Sequence, residues 1–267
     1  MKTREQAVRA LAQTAEDKLL LQQFFDKYEV SQARAYLTHT RFLDLRERTL
    51  CVQAAQAAGI AAQTVFWGGY ADAERVMALF LPDYMTEQDV IAPETCPMAL
   101  LRAQKSPTDT LTHRDYLGAL MGLGIERAVV GDILLHPDGA DLFVTLDMAD
   151  FIEMNFLRAG RKRITLTRLP LTDFRAPEAH EEAGEGSVAS LRLDSVAALI
   201  FRLSRAQMQE RIEKGTVFLN QMQCLKADAD VAPGDRITVR GLGRARIVAL
   251  GGVSRKGRQF VRYLRSV

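Results

Sequence analysis

SLRLDSVAALIFRLSRAQMQERIEKGTVFLNQMQCLKADADVAPGDRITVRGLGRARI, residues 190–247, reads as two short helices followed by a small sheet. Asp194 precedes an amphipathic stretch that buries Val196, Leu199 and Ile200. It is read as the N-cap, because a short acidic side chain there accepts from the free N–H groups of the first turn. After a kink at Leu203, Ser204 caps a second helix over 205–214 with Met208 and Ile212 turned inward. Gly215 ends it, since glycine takes the left-handed conformation that closes helices. Residues 217–220 then form a short strand, Pro233-Gly234-Asp235 a turn, and 237–240 the returning strand. Two helices set against such a sheet present Arg192, Arg205, Lys214, Lys226, Arg240, Arg244 and Arg246.

The charge is segregated around this stretch. Residues 190–267 hold 15 Lys and Arg against 6 Asp and Glu, a net of +9, while the other 189 residues hold 20 against 27, so the chain total of +2 conceals the asymmetry. A cationic excess of this size over one segment marks a polyanion-binding surface, and nucleic acid is the expected partner.

The remaining composition narrows the class. With 267 residues and 48% apolar content the chain fills one large domain or two to three ordinary ones. The start is charged and no uncharged apolar run approaches the ~18 residues of a membrane span, so a cytosolic, cytoplasmic protein is expected. Cys51, Cys96 and Cys224 lie far apart and His39, His113, His136 and His180 are scattered. Neither a disulfide framework nor a zinc site has local support, and no metal or other cofactor is expected.

Outward from the C-terminal stretch, the chain reads as α+β. Residues 1–58 carry helical apolar spacing without glycine or proline, and Asp44 with Glu47 forms a capping box for a helix ending near Ala58. AAQTVFWGG and ERVMALFLP flank a turn at Gly68-Gly69, a hairpin in which Phe66 and Trp67 read as core. From Pro97 the order is strand (98–104), helix (113–123), hairpin (129–135 with 141–146), helix capped by Asp147, strand (162–169). This βαββαβ order fits a ferredoxin-like sheet with the topology of an RNA-recognition motif. Such motifs stack bases on central-strand aromatics, and here only Phe143 is a candidate, so contact through Arg158, Arg161, Lys162 and Arg163 is the better expectation. Residues 173–187, acidic and short of large apolar side chains, read as a linker. The expected domains are therefore 1–58 helical, 59–172 RRM-like, 173–187 linker and 188–267 C-terminal.

The C-terminal segment resembles the S4 family of RNA-binding modules. Its blocks are matched by Leu191-Arg192-Leu193-Asp194, Ser204-Arg205, Ile212 to Asn220 (IEKGTVFLN) and Gly234 to Val239 (GDRITV). Gln221 stands where glycine usually follows the asparagine, and Gln207-Met208 replace a small residue. FLDLRERTL, FWGGYADAERVMALFLPDY, LTHRDYLGALMGLGIERAVVGDILL and VRGLGRARI make nearly the whole chain similar to the bacterial YlmH family. That resemblance implies a helical N-terminal part, a middle domain assigned to RNA binding and a C-terminal S4 domain of αL type. It implies a role on the large ribosomal subunit in rescue or quality control of stalled translation, with rRNA and tRNA as partners, and an association with cell division. The RNA contacts it points to are Arg192, Ser204, Arg205, Lys214, Asn220, Lys226, Arg240, Arg244 and Arg246, of which Arg192 and Arg205 are expected to dominate by gripping phosphates.

Two rival classes stay open. S4 modules are often appended to RNA-modifying enzymes of the pseudouridine synthase or methyltransferase type. However, Asp194 is already accounted for as a cap, and Gly118, Gly122 and Gly124 match no cofactor cradle. No catalytic residue is expected; His113 and Arg114 open a capped helix, where polar side chains belong, with Arg114 kept as a further RNA contact. The other rival is a cell-division-associated adaptor whose acidic N-terminal part docks a protein partner.

Overall fold

The computed structural model describes residues 3–92, 95–176 and 181–266. The chain is α+β and divides into two compact units, Met1–Pro177 and Glu178–Val267.

The first unit opens with helices α1 (Arg4–Leu11), α2 (Ala15–Arg34) and α3 (Leu45–Ala58), each started by a capping box, at Thr3, Thr14 and Asp44. They close over Leu21, Phe24, Phe25, Leu50 and Cys51. The stretch expected to be wholly helical also contains strand β1 (Thr38–His39). It lies in a three-stranded antiparallel sheet with β2 (Thr64–Trp67) and β3 (Met77–Phe80), in the order β1-β3-β2. Ala35, at φ 51°, ends α2, and the β-branched Thr38 and Thr40 follow, with the Thr40 hydroxyl accepting from Ala78 N. Sheet pairing therefore crosses the boundary expected at residue 58.

After α4 (Glu87–Ile91) come β4 (Met98–Lys105), α5 (His113–Gly122), β5 (Val130–His136), β6 (Gly139–Thr145), α6 (Leu146–Asn155), β7 (Arg158–Ala159) and β8 (Lys162–Leu169). The sheet runs β5-β6-β4-β8-β7, antiparallel throughout, which is the ferredoxin-like order with a short added edge strand. Strand β6 runs directly into α6, so Thr145 is the N-cap and Asp147, expected to cap, lies in the first turn.

One face of this sheet buries Leu101, Leu142, Val144 and Ile164 against Tyr116 and Leu120 of α5 and Ile152 of α6. The opposite face, where an RNA-recognition motif would stack bases, buries Leu100 and Phe143 against Phe42, Met77 and Leu79. The Phe143 ring is fully buried, stacked on Tyr70 and edge-on to Phe174. Gly69, at φ +96°, lets the chain pass, since a Cβ there would stand 2.2 Å from that ring. Phe143 is thus core and offers no platform to a base.

The second unit contains β9 (Glu181–Val188), α7 (Leu193–Phe201), α8 (Arg205–Glu213), β10 (Val217–Leu219), β11 (Met222–Gln223), β12 (Arg236–Val239), β13 (Gly243–Val253) and β14 (Gln259–Ser266). They form one sheet, β11-β10-β12-β13-β14-β9, with α7 and α8 packed on one face through Val196, Ile200, Met208 and Ile212. Strand β9 corrects the linker expectation: from Glu181 on, that stretch pairs with β14 along its length, Glu181 opposite Ser266 through Val188 opposite Gln259. Its glycines mark close approach, since a Cβ on Gly186 would meet Leu199 at 2.6 Å and one on Gly184 would meet Tyr263 at 2.4 Å. Its acids face basic partners; Glu185 accepts from Arg262 at 2.7 Å. Of the remainder, 177–180 lie outside the described residues, and Phe174 packs on Tyr70 in the first unit.

Between α7 and α8 the chain reverses at Arg202, an exposed residue at φ 55° that ends α7 in the left-handed region. A side chain there costs about 1 kcal/mol relative to glycine. Arg202→Gly is expected to stabilise the second unit by up to about 0.5 kcal/mol after the extra freedom glycine gives the unfolded chain. Urea unfolding checks this, and a lowered midpoint would contradict it.

Candidate nucleic-acid interface

The N-terminus of α7 is capped by backbone. The N–H groups of Leu193 and Asp194 donate to the carbonyls of Ala229 at 2.8 Å and Ala227 at 3.0 Å, and Arg192 forms a β-bridge with Asp230. Arg192, not Asp194, is the N-cap residue. Because a neighbouring loop supplies the acceptors, the Asp194 carboxylate is free for another role. It is fully buried, and Oδ2 accepts from Arg205 Nε at 2.8 Å and Gln209 Nε2 at 2.7 Å, while Oδ1 lies 3.4 Å from Arg192 Nε. Burial pushes the carboxyl up, but the bonds from Arg205 and Gln209 and the charges of both arginines outweigh it and hold the group below the usual carboxylate range.

One buried carboxylate therefore holds the Arg205 guanidinium by a hydrogen bond and draws that of Arg192 by charge alone, its buried Nε making no hydrogen bond, on side chains that remain 51% and 38% exposed. Arg205 is held through Nε, which leaves its terminal nitrogens for a ligand. It also opens α8, where the helix dipole favours an anion. Planar, charged and pre-oriented groups of this kind suit phosphate oxygens.

The other sequence candidates fall into different places. Ser204 is a cap: its hydroxyl accepts from Gln207 N at 3.2 Å, and its N–H donates to Gln207 Oε1 at 2.9 Å. Asn220 is a turn residue at φ 51°; its Nδ2 donates to Asp235 Oδ1 and its Oδ1 accepts from Arg236 N, which ties the β10–β11 turn to the start of β12. Gln221 follows at φ 66°, where glycine is usual. Lys214 is exposed and reaches Glu210 Oε1 at 2.5 Å. Lys226 is exposed on the loop that caps α7.

Arg240, Arg244 and Arg246 do not join Arg192 and Arg205. In β12 and β13, Ile237, Val239, Ala245 and Ile247 point into the core beneath the helices, so by strand alternation the arginines project from the opposite, helix-free face. There Arg240 lies over the Phe218 ring at 5.6 Å, Arg244 stands opposite Thr238, and Arg246 stands opposite Arg236 and 3.9 Å from Glu181. Arg236 and Arg262 share this face and were not among the sequence candidates. The period-two spacing of Arg244 and Arg246 was the available signal. Gln209 was missed as well, although it lies one turn beyond Arg205 on the same helix.

Among the described residues no cluster of three or more His, Cys, Asp or Glu side chains is placed to hold a metal ion, and no helix is long and apolar enough to cross a membrane. Cys51 and Cys96 are buried, and burial pushes the Cys96 thiol up to about 11.

A family model described as "Putative RNA-binding domain in YlmH" matches residues 104–173, from the end of β4 past β8. The chain is 30% identical over 253 residues to the "Ribosome-associated protein quality control protein P2" of Bacillus subtilis (strain 168), covering 94% of this chain and 95% of that protein. It is also similar to a solved structure, "Cell division protein ylmH from Streptococcus pneumoniae", at 23% identity and a TM-score of 0.47, covering 61% of this chain and 96% of that one. With that identity to the Bacillus relative running along nearly the whole of both chains, this protein belongs to the YlmH family.

Proposed function

We propose that this protein is a non-catalytic RNA-binding factor of ribosome-associated quality control. In this reading it grips rRNA and tRNA on the large ribosomal subunit through an S4-type C-terminal unit. The observation that carries the reading is the pair Arg192 and Arg205 on an exposed corner, both ion-paired with one buried carboxylate that orients Arg205 by a hydrogen bond. The name of the Bacillus relative supports the ribosomal setting, and the matched family model supports RNA as ligand. Asp194 argues against a modification enzyme, because the one aspartate in an R-L-D context is buried and bonded to Arg205 and Gln209.

Two measurements test the reading. In sedimentation of the full chain with ribosomes, it is expected to travel with the large subunit in low salt and leave it in high salt, as phosphate contacts require. Crosslinked RNA should map to rRNA and tRNA; an RNA-free protein, or one bound only to the small subunit, would refute the placement. Mass spectrometry of RNA incubated with the protein and common cofactors is expected to show no new mass, and a protein-dependent mass would establish catalysis instead.

A further inference from the structure

In the first unit, the sheet face that an RNA-recognition motif uses is only half covered. Leu100, Phe143 and Leu169 lie under the apolar cover contributed by β3 and its neighbours. Beyond them the same face continues as a polar row. Arg102 stands opposite Asp141 on one side and Thr167 on the other, and Gln104 stands opposite Thr165. Arg163 follows on β8, with Arg158 of β7 opposite it. Gln104, Thr165, Thr167, Arg158 and Arg163 are all exposed.

Two features of this row cost stability without a return in packing. Asp141 is fully buried, and its two oxygens accept from Nε and one terminal nitrogen of Arg102, both at 2.8 Å, with His136 Nε2 3.0 Å away. A buried ion pair beside Leu100 and Phe143 is replaceable by an apolar pair at little or no loss of stability. What it provides is an arginine locked in orientation at the rim of the open face, 30% exposed. Arg158 and Arg163 are directly opposed like charges, an arrangement that weakens a strand pair.

We propose that this polar half-face, from Arg102 to Arg163, is a second RNA site that takes a single-stranded segment lying across β4 and β8. Phosphates sit at Arg158 and Arg163, and sugar hydroxyls and base edges meet Gln104, Thr165 and Thr167. The site works by hydrogen bonding, because Phe143 is buried and the exposed row has no ring on which to stack a base. The proposal rests on the reading of the protein as an RNA binder and adds where, and with what kind of RNA, the first unit takes part.

The test uses the full chain and two fluorescent probes, an rRNA stem-loop and the same stem-loop with a single-stranded RNA tail. With wild type the tail is expected to tighten binding about tenfold, and a DNA tail less, because it lacks the 2′-hydroxyl. In Arg158→Gln/Arg163→Gln the benefit of the tail disappears, so that the variant binds the tailed and the bare stem-loop alike. Removing these charges relieves repulsion, so the fold is not at risk. Thr165→Val/Thr167→Val keeps strand propensity and is expected to abolish the preference for an RNA tail over a DNA tail. A tail that helps wild type and the arginine variant equally overturns the proposal, as does a tail that never helps, the result expected if the row docks an acidic protein segment. If wild type fails to bind the bare stem-loop, the RNA-binding reading itself is refuted.

Discussion

Asp194→Ala is expected to destabilise the C-terminal unit by about 3 kcal/mol. The carboxylate is fully buried and accepts from Arg205 and Gln209, with Arg192 at 3.4 Å. Removing it deletes a charge-assisted bond worth about 1.5–3 kcal/mol, orphans the Gln209 amide and leaves two neighbouring cations to repel. The arginines are more than a third exposed, so water screens them, and the Arg192 contribution is counted at less than about 1 kcal/mol. The pH dependence has a definite sign. A carboxyl held below its ordinary value stabilises the fold fully above about pH 4 and loses that contribution as the pH falls through the folded-state value. Wild type should therefore lose stability on acidification toward pH 2 more steeply than Asp194→Asn, whose side chain does not titrate. Thermal unfolding of the three proteins between about pH 2 and pH 7 measures both effects. A loss below about 1 kcal/mol for Asp194→Ala at neutral pH, or parallel acid profiles, would show that the carboxylate does not hold this corner together.

Most of the architecture was legible because it rests on local chemistry. The Asp44 capping box, the Ser204 cap, the left-handed Gly215, and the βαββαβ order with its hairpin at 136–139 all follow from short-range patterns. The misses share a cause: each depends on a partner distant in sequence. Strand β9 looks like a linker until Arg262 offsets Glu185, and Gly184 and Gly186 admit Tyr263 and Leu199. Asp194 looks like a cap until the carbonyls of Ala227 and Ala229 take over the capping. Phe143 looks available for stacking until Tyr70 and Phe174 cover it. The same limit applies to the site. Basic residues were found by count, but strand alternation assigns Arg240, Arg244 and Arg246 to the face away from Arg192 and Arg205, and only sheet register reveals that.

Arg205→Ala is expected to weaken RNA binding about tenfold and to flatten the slope of log affinity against log salt by roughly one unit, with Arg192→Ala somewhat milder. Arg205 is the more exposed of the two and has the closer hold on Asp194, 2.8 Å against 3.4 Å, so its terminal nitrogens are the better oriented. A phosphate that no longer meets its arginine keeps its counterion, and this is the origin of the slope change. Phosphates carry no sequence, so the weakening should be the same for RNAs of like shape. Arg205→Lys should also weaken binding, because a lysine paired with Asp194 has no second prong to offer a phosphate. Arg205→Ala also strips a partner from a buried carboxylate, and a general loosening of the corner could imitate the removal of a phosphate grip. The variant Asp194→Asn/Arg205→Ala separates the two effects, since it removes the stranded charge while the guanidinium stays absent. If Arg205 does grip a phosphate, the double variant regains melting temperature but not affinity. Should it regain affinity as well, or should both single arginine variants bind with unchanged affinity and slope, the α7–α8 corner is not where RNA is held.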